Sequence, residues 1–360
     1  MSTTKPPTET VAIGTLEEPK TGYFRNLIKA QAFQILLVLI AIVLVFSALA
    51  PDTFAQWSNF RLIIQNASIL AVLAVGMTYV IITAGIDLSI GSVLVFSGVV
   101  SAMVMRAMGG DGWGTAFVGI LVAIACGIGW GLLNGFLIAK AKIPPLIVTL
   151  GTLGMALGLA QILTGGVDIR EVPSVLTTTI GYGNVFGTIP TISVIALVVV
   201  VIGGVVLHFT RFGLHTYAVG SSELAARRVG VKVDRHLISI YTLSGGLAGI
   251  AGILSLSQFS TTAIAGQSQT NLNVIAAVVI GGTSLFGGVG TIVGTVVGLF
   301  IPAVLQNGFV ITGVPPFWQQ VAVGAVLITA VYVDQARRSA AMRGGSQSLW
   351  RKFVSGGRRT

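Results

Sequence analysis

Charge is what this chain has least of. Only 9% of its 360 residues are Asp, Glu, Lys or Arg, where a soluble domain carries about 25%. With 54% hydrophobic residues and a mean hydropathy of +0.92, this excludes a soluble globular fold and predicts an all-α polytopic membrane protein. Cysteine is nearly absent too. The single Cys126 can close no internal disulfide and reads as a small packing residue in an apolar helix. There is no Gly-x-x-x-x-Gly-Lys-Ser/Thr loop to cradle phosphates. No Gly-x-Ser-x-Gly elbow sits in a strand-turn-helix context, and no strands are evident. The three histidines (His208, His215, His236) do not form a metal-spaced cluster. No catalytic residue, metal site or cofactor of the chain's own is therefore expected. The apolar stretches contain almost no ionisable residue, Asp87 being the main exception, whereas a proton- or sodium-driven carrier keeps carboxylates there for its coupling ion. The chain is thus either a passive channel or is energised by a partner.

What the sequence does have is glycine, 47 residues of it, as closely packed transmembrane helices require. Spans of roughly 17–25 apolar residues are predicted at 33–49, 62–83, 93–108, 115–139, 146–164, 191–209, 237–259, 272–286, 291–310 and 318–333. A permease domain over 31–335 would lie between a cytoplasmic tail at 1–30 and a basic cytoplasmic tail at 336–360. No cleavable signal is apparent: the polar first 30 residues lead into a run too long for one. With the N-terminus cytoplasmic, all of the 21 Lys and Arg residues except Arg61, Arg106 and Arg170 fall inside, so both termini are expected there. The net charge of +10 marks orientation and contact with anionic lipid headgroups, not nucleic acid.

Two stretches look alike. Residues 75–99 run apolar, then Ala84-Gly85, then Gly91-Ser92, then apolar again; residues 274–299 repeat this with Gly281-Gly282 and Gly287-Gly288. Each could be a broken or re-entrant helix pair. Asp87 in the first could line a gate. The favoured expectation is that it caps the third span, with N–H and hydroxyl donors around it.

The main polar island is 211–236, holding Arg211, Arg227, Arg228, Lys232 and Arg235 with Glu223 and Asp234. Its centre, Ser222 to Arg228, reads as a short helix capped by Ser221 or Ser222, with Gly220 and Gly230 at its ends. Glu223 and Arg227 can pair across one turn, and Ala225 and Ala226 leave room for close approach. From these residues alone the helix is either a peg for another subunit or a solvated face.

The stretch 218–231, Ala-Val-Gly-Ser-Ser-Glu-Leu-Ala-Ala-Arg-Arg-Val-Gly-Val, resembles the cytoplasmic Glu-Ala-Ala loop of ATP-binding-cassette importer permeases, most of all the monosaccharide branch. Residues 74–78 with 83–92, and residues 275–285 with Gly287, Gly288, Gly294 and Thr295, are similar to two further segments of that branch. The three fall in order over about residues 33–335.

The resemblance implies about ten helices in a bacterial inner membrane and a homodimer or paired permease around one pathway. It also implies cytoplasmic ATP-binding subunits holding ATP and magnesium, and a periplasmic sugar-binding protein docking on outer loops such as 165–190 and 315–318. On it, Gly220, Ser222, Glu223, Ala225, Ala226, Arg227, Arg228 and Gly230 form the ATPase-coupling helix. Candidate pathway or gate residues are Gln65, Asn66, Asp87, Ser89, Gln258, Asn271, Asn273 and Asn307, with Thr78, Asn134 and Gln161 as further polar side chains. The chain departs from the family at Leu224, inserted into Glu-Ala-Ala, and at Asn271 and Asn273, where acidic residues are common. Permeases of this kind leave selectivity to the binding protein, so ribose, xylose, fructose, galactose and polyols all stay open. Alternatives are a branched-chain amino-acid permease and a stand-alone channel or secondary carrier; an intramembrane enzyme ranks behind both.

Overall fold

Hydrophobic runs of this length, interrupted only by glycine and a few polar breaks, bury their backbone hydrogen bonds most economically as helices. The computed structural model describes residues 31–265, 269–315, 317–318, 320–329, 331–332 and 335. The expected tails at 1–30 and 336–360 lie outside them. The helices are α1 Gln31–Leu49, α2 Trp57–Ile82, α3 Ile90–Met108, α4 Trp113–Ala139, α5 Pro145–Thr164, α6 Thr191–Phe209, α7 Arg211–Ser221, α8 Glu223–Arg228, α9 Val233–Phe259, α10 Thr270–Ile280 and α11 Ile292–Ile311. A further apolar helix, α12, covers Gln320–Thr329. Among the described residues, seven helices (α2 to α6, α9 and α11) are long and apolar enough to cross a membrane. Shorter apolar helices stand where the first, eighth and tenth spans are predicted.

The expectation of no strands needs one correction. A two-residue ribbon pairs β1, Asn184–Val185, with β2, Ile189–Pro190. Phe186 and Gly187 at its tip both take positive φ. The eighth span also differs from its prediction. It is an 11-residue helix that ends at Ile280, and residues 260–265 before it are not helical. α10 is therefore a half-helix.

The seam between α4 and α9 is built on backbone. A Cβ added at Gly127 would stand 2.1 Å from the Gly245 carbonyl oxygen, and one at Gly131 2.3 Å from that of Tyr241. Gly249 meets the Ala123 oxygen in the same way at 2.3 Å. Small residues one turn apart let the two antiparallel helices touch without side chains between them. α2 and α3 pack against this pair, with Tyr79, Tyr241, Met77 and Leu73 buried.

The two ends of the bundle differ in charge. One pole gathers Lys140 and Lys142 around Asp234 at 3.6 and 3.0 Å, beside the island. The opposite pole holds Arg106 against Glu171 at 2.8 Å and Arg61 against Asn184. There Asp111 accepts from the Ser174 hydroxyl and backbone N–H, which hold its carboxyl below the usual carboxylate range. Asp168 fastens that pole further, accepting from the Thr262 hydroxyl at 2.9 Å and the Ile264 N–H at 3.0 Å.

Candidate functional site

The island folds as two helices. Thr210 caps α7 by accepting from the Gly213 N–H at 3.4 Å. Ser222, not Ser221, caps α8, accepting from the Ala225 N–H at 3.3 Å. Arg227 pairs with Glu223 at 2.8 Å and also reaches Asp234 on α9. The hydrogen bonds it donates to Asp234 and then to Glu223 hold its guanidinium above its ordinary range. Ala226 is buried against Val219 and Val233. These contacts are all made within the chain. Leu224 and Val229 are 62% and 79% exposed, and Arg228 is exposed with no ion pair among the described residues. Of the two expected punctuating glycines, Gly230 has φ +87° and does follow α8. Gly220 does not end it: it lies in the last turn of α7.

Gly220 has another place. A Cβ there would stand 1.7 Å from the Ile82 carbonyl oxygen and 2.7 Å from the Gly288 nitrogen. Those two atoms bond to each other, the Gly288 N–H donating to the Ile82 oxygen at 2.8 Å. The Tyr217 hydroxyl on α7 donates to the Gly290 carbonyl at 2.7 Å. The end of the island helix thus rests on both helix breaks at once, 83–89 between α2 and α3, and 281–291 between α10 and α11.

Within the first break Asp87 is 2% exposed. It accepts from the Ser89 N–H at 2.9 Å, the Ser89 hydroxyl at 2.6 Å and the Ser244 hydroxyl at 3.2 Å, the N–H and hydroxyl donors expected around a buried carboxylate. The N-cap of α3 is Ser89, with no side-chain cap bond, so Asp87 ties the turn ahead of the helix and does not cap it. Asn134 donates to the Ser89 hydroxyl at 2.9 Å. Asn271, at the start of α10, accepts from the Gly91 N–H at 2.7 Å. Thr78 and Thr295 share a bond at 2.8 Å.

Towards the opposite pole a cavity of about 780 Å³ opens between α2, the end of α9, the start of α10, α11 and α12. Asn66, Gln258, Asn273 and Asn307 line it, as do Gln269, Thr270, Gln306 and Gln320. Among the described residues no charged side chain does. Gln258 donates to the Asn66 side-chain oxygen at 2.7 Å. Asn307 and Asn59 exchange amide bonds at 2.8 and 3.0 Å. Four of the eight candidate pathway residues therefore meet on this wall. The other four lie elsewhere: Asp87, Ser89 and Asn271 in the buried polar cluster, and Gln65 on the Gly181 carbonyl at 2.9 Å. Sequence reasoning missed Gln269, Gln306 and Gln320. Two adjacent amides, Gln306-Asn307, inside an otherwise apolar helix were the available signal.

The family described as "Branched-chain amino acid transport system / permease component" matches residues 59–331. The ribose import permease protein of Escherichia coli is 37% identical over 306 residues, covering 84% of this chain and 92% of that protein. The ribose import permease protein of Bacillus subtilis is 38% identical over 306 residues, 83% of this chain and 91% of that one. The fructose import permease protein of Rhizobium meliloti is 34% identical over 312 residues, 85% and 86% of the two chains. No solved structure matches.

Proposed function

The chain belongs to this family of transport-system permease components, and we propose that it is the permease subunit of an ATP-driven importer carrying a monosaccharide across the bacterial inner membrane. The passenger is a pentose or hexose such as ribose, xylose or fructose, or a related polyol. It is delivered by a periplasmic binding protein that docks on the pole carrying residues 165–190. The permease makes and breaks no covalent bond; ATP and magnesium belong to a separate cytoplasmic subunit. Two permease copies, each of ten spans with both termini inside, flank the pathway.

The observation that carries this reading is α8. Its own chain holds it by Ala226 and the Glu223–Arg227–Asp234 ion pairs, while Leu224, Arg228 and Val229 are left exposed at the basic pole. An apolar and cationic tip on a braced peg suits a groove in a partner subunit. From there, movement would pass through Gly220 into both breaks. A branched-chain amino-acid passenger is the second reading. It is disfavoured by the cavity, whose wall has amides but, among the described residues, no charge to meet a zwitterion.

Uptake of labelled sugar by proteoliposomes holding permease, ATPase and binding protein tests the proposal. The double variant Glu223→Ala/Arg227→Ala is expected to insert normally but to lose the ATPase on purification or to uncouple hydrolysis from uptake. Normal import by that variant overturns the docking assignment. Import by the permease alone, without ATP, would establish a channel or carrier instead.

A further inference from the structure

We infer that the permease reads its passenger directly, through a hydroxyl-binding subsite made by Asn66, Gln258 and the first turn of the half-helix α10. This rests on the importer function proposed above and goes beyond it, because selectivity would then not lie with the binding protein alone.

Three observations converge on one wall of the cavity. Gln258 is 7% exposed and lines the cavity. Its Nε2 is engaged by the Asn66 oxygen at 2.7 Å, while its buried Oε1 accepts no hydrogen bond among the described residues. A buried amide oxygen left without a donor is unfavourable, and a donor that arrives with the ligand removes that penalty. Beside it, Gln269, Thr270 and Asn273 bring the N-terminal end of an 11-residue helix to the same wall. The first turn of a helix directs N–H groups and partial positive charge outward, suited to oxygen lone pairs. Finally, the wall carries amides and, among the described residues, no ionised group. Amides both donate and accept, as sugar hydroxyls do, whereas a phosphorylated or otherwise charged ligand would leave water without a counter-charge to receive it. The passenger this subsite selects is therefore neutral and polyhydroxylated, with one hydroxyl donating to Gln258 and hydroxyl oxygens turned to Asn66 and α10.

The test uses the complete importer in proteoliposomes and labelled D-ribose, D-xylose and D-fructose with the cognate binding protein. For whichever sugar the unmodified importer carries, Gln258→Leu is expected to lower initial uptake about ten-fold, with binding-protein-stimulated ATP hydrolysis kept within about two-fold. Asn66 is exposed on the cavity wall, and Asn66→Leu should show the same split between uptake and hydrolysis; because it also strands the buried Gln258 Nε2, its unfolding temperature in detergent is measured beside it. The double variant should lose little more than Gln258→Leu alone, since both act on one subsite. Unchanged uptake in both single variants overturns the subsite. So does a parallel fall of uptake and hydrolysis, the mark of a purely structural role. If the unmodified importer hydrolyses ATP yet carries none of the neutral sugars, the importer reading itself falls, and that result is distinct from either of the others.

Discussion

The two helix breaks invite comparison because their glycine patterns look alike and their positions meet. Both close against the end of α7, and one hydrogen bond, Gly288 N–H to the Ile82 carbonyl, joins them. What each is made of differs. The first follows a 26-residue helix, turns on Ala84 at φ +60°, and is filled by a carboxylate with three donors. The second follows an 11-residue half-helix and turns on Gly282, Gly287 and Gly288 at φ +92°, +81° and +76°, without a charged residue. The first is pinned by side chains; the second is shaped by backbone freedom. A shared bend can thus be reached by chemically unrelated means, and the two should respond differently to substitution.

The strongest way to break the comparison is to disturb what the two breaks share. Gly220→Ala places a methyl group 1.7 Å from the Ile82 oxygen and 2.7 Å from the Gly288 nitrogen. Neither backbone atom can yield without moving its break, so a loss of about 3 kcal/mol or more is expected, read as a large drop in thermal unfolding temperature in detergent and loss of uptake.

Next in size is a change confined to the first break. Asp87→Ala strands the Ser89 and Ser244 donors, at a cost of about 2 kcal/mol. Asp87→Asn keeps an oxygen for Ser89 and lets Ser244 accept instead, so its unfolding temperature should fall between alanine and the parent. If asparagine is as damaging as alanine, the carboxylate's charge and not its hydrogen bonding holds the break.

The smallest effect sharpens the contrast. Ala84→Gly makes the first break resemble the second by freeing its left-handed residue. Relief of strain and added flexibility of the unfolded chain oppose each other, so the net change should stay within about 0.5 kcal/mol. The same measurement on Gly282→Ala should show a clear loss.

Much of this was legible in the sequence, for reasons that can be named. Hydropathy located the seven long helices because nothing but helix satisfies an apolar run's backbone in lipid. Ser222, Glu223 and Arg227 act within one turn of each other, and local spacing predicts such contacts. The donors around Asp87 were legible because the nearest, Ser89, is two residues away; the helix cap expected of Asp87 was not, since Ser89 takes the N-cap position. What escaped depended on distant partners. Gly220 looks like a helix terminator until Ile82 and Gly288 are brought to it from separate breaks. Asn66 and Gln258 are 192 positions apart, and Asn59 and Asn307 are 248 apart, so no local pattern pairs them. The eighth span was carried too far at its C-terminal end, to 286 where the helix stops at Ile280, because hydropathy is similar for an irregular and a helical apolar segment.

The glycine seam between α4 and α9 also sets a schedule. α4 is complete at Ala139 and α9 at Phe259, on the order of a hundred residues later. At synthesis rates of about 5–20 residues per second, the first helix therefore waits roughly ten seconds in the bilayer before its partner exists. Throughout that interval a bare strip of backbone, Gly127, Gly131 and Gly135, faces lipid or the insertion machinery. A wrong neighbour with a small-residue stripe of its own could occupy it. Biogenesis of this protein is thus most exposed to error at the contact that is tightest once folding is finished.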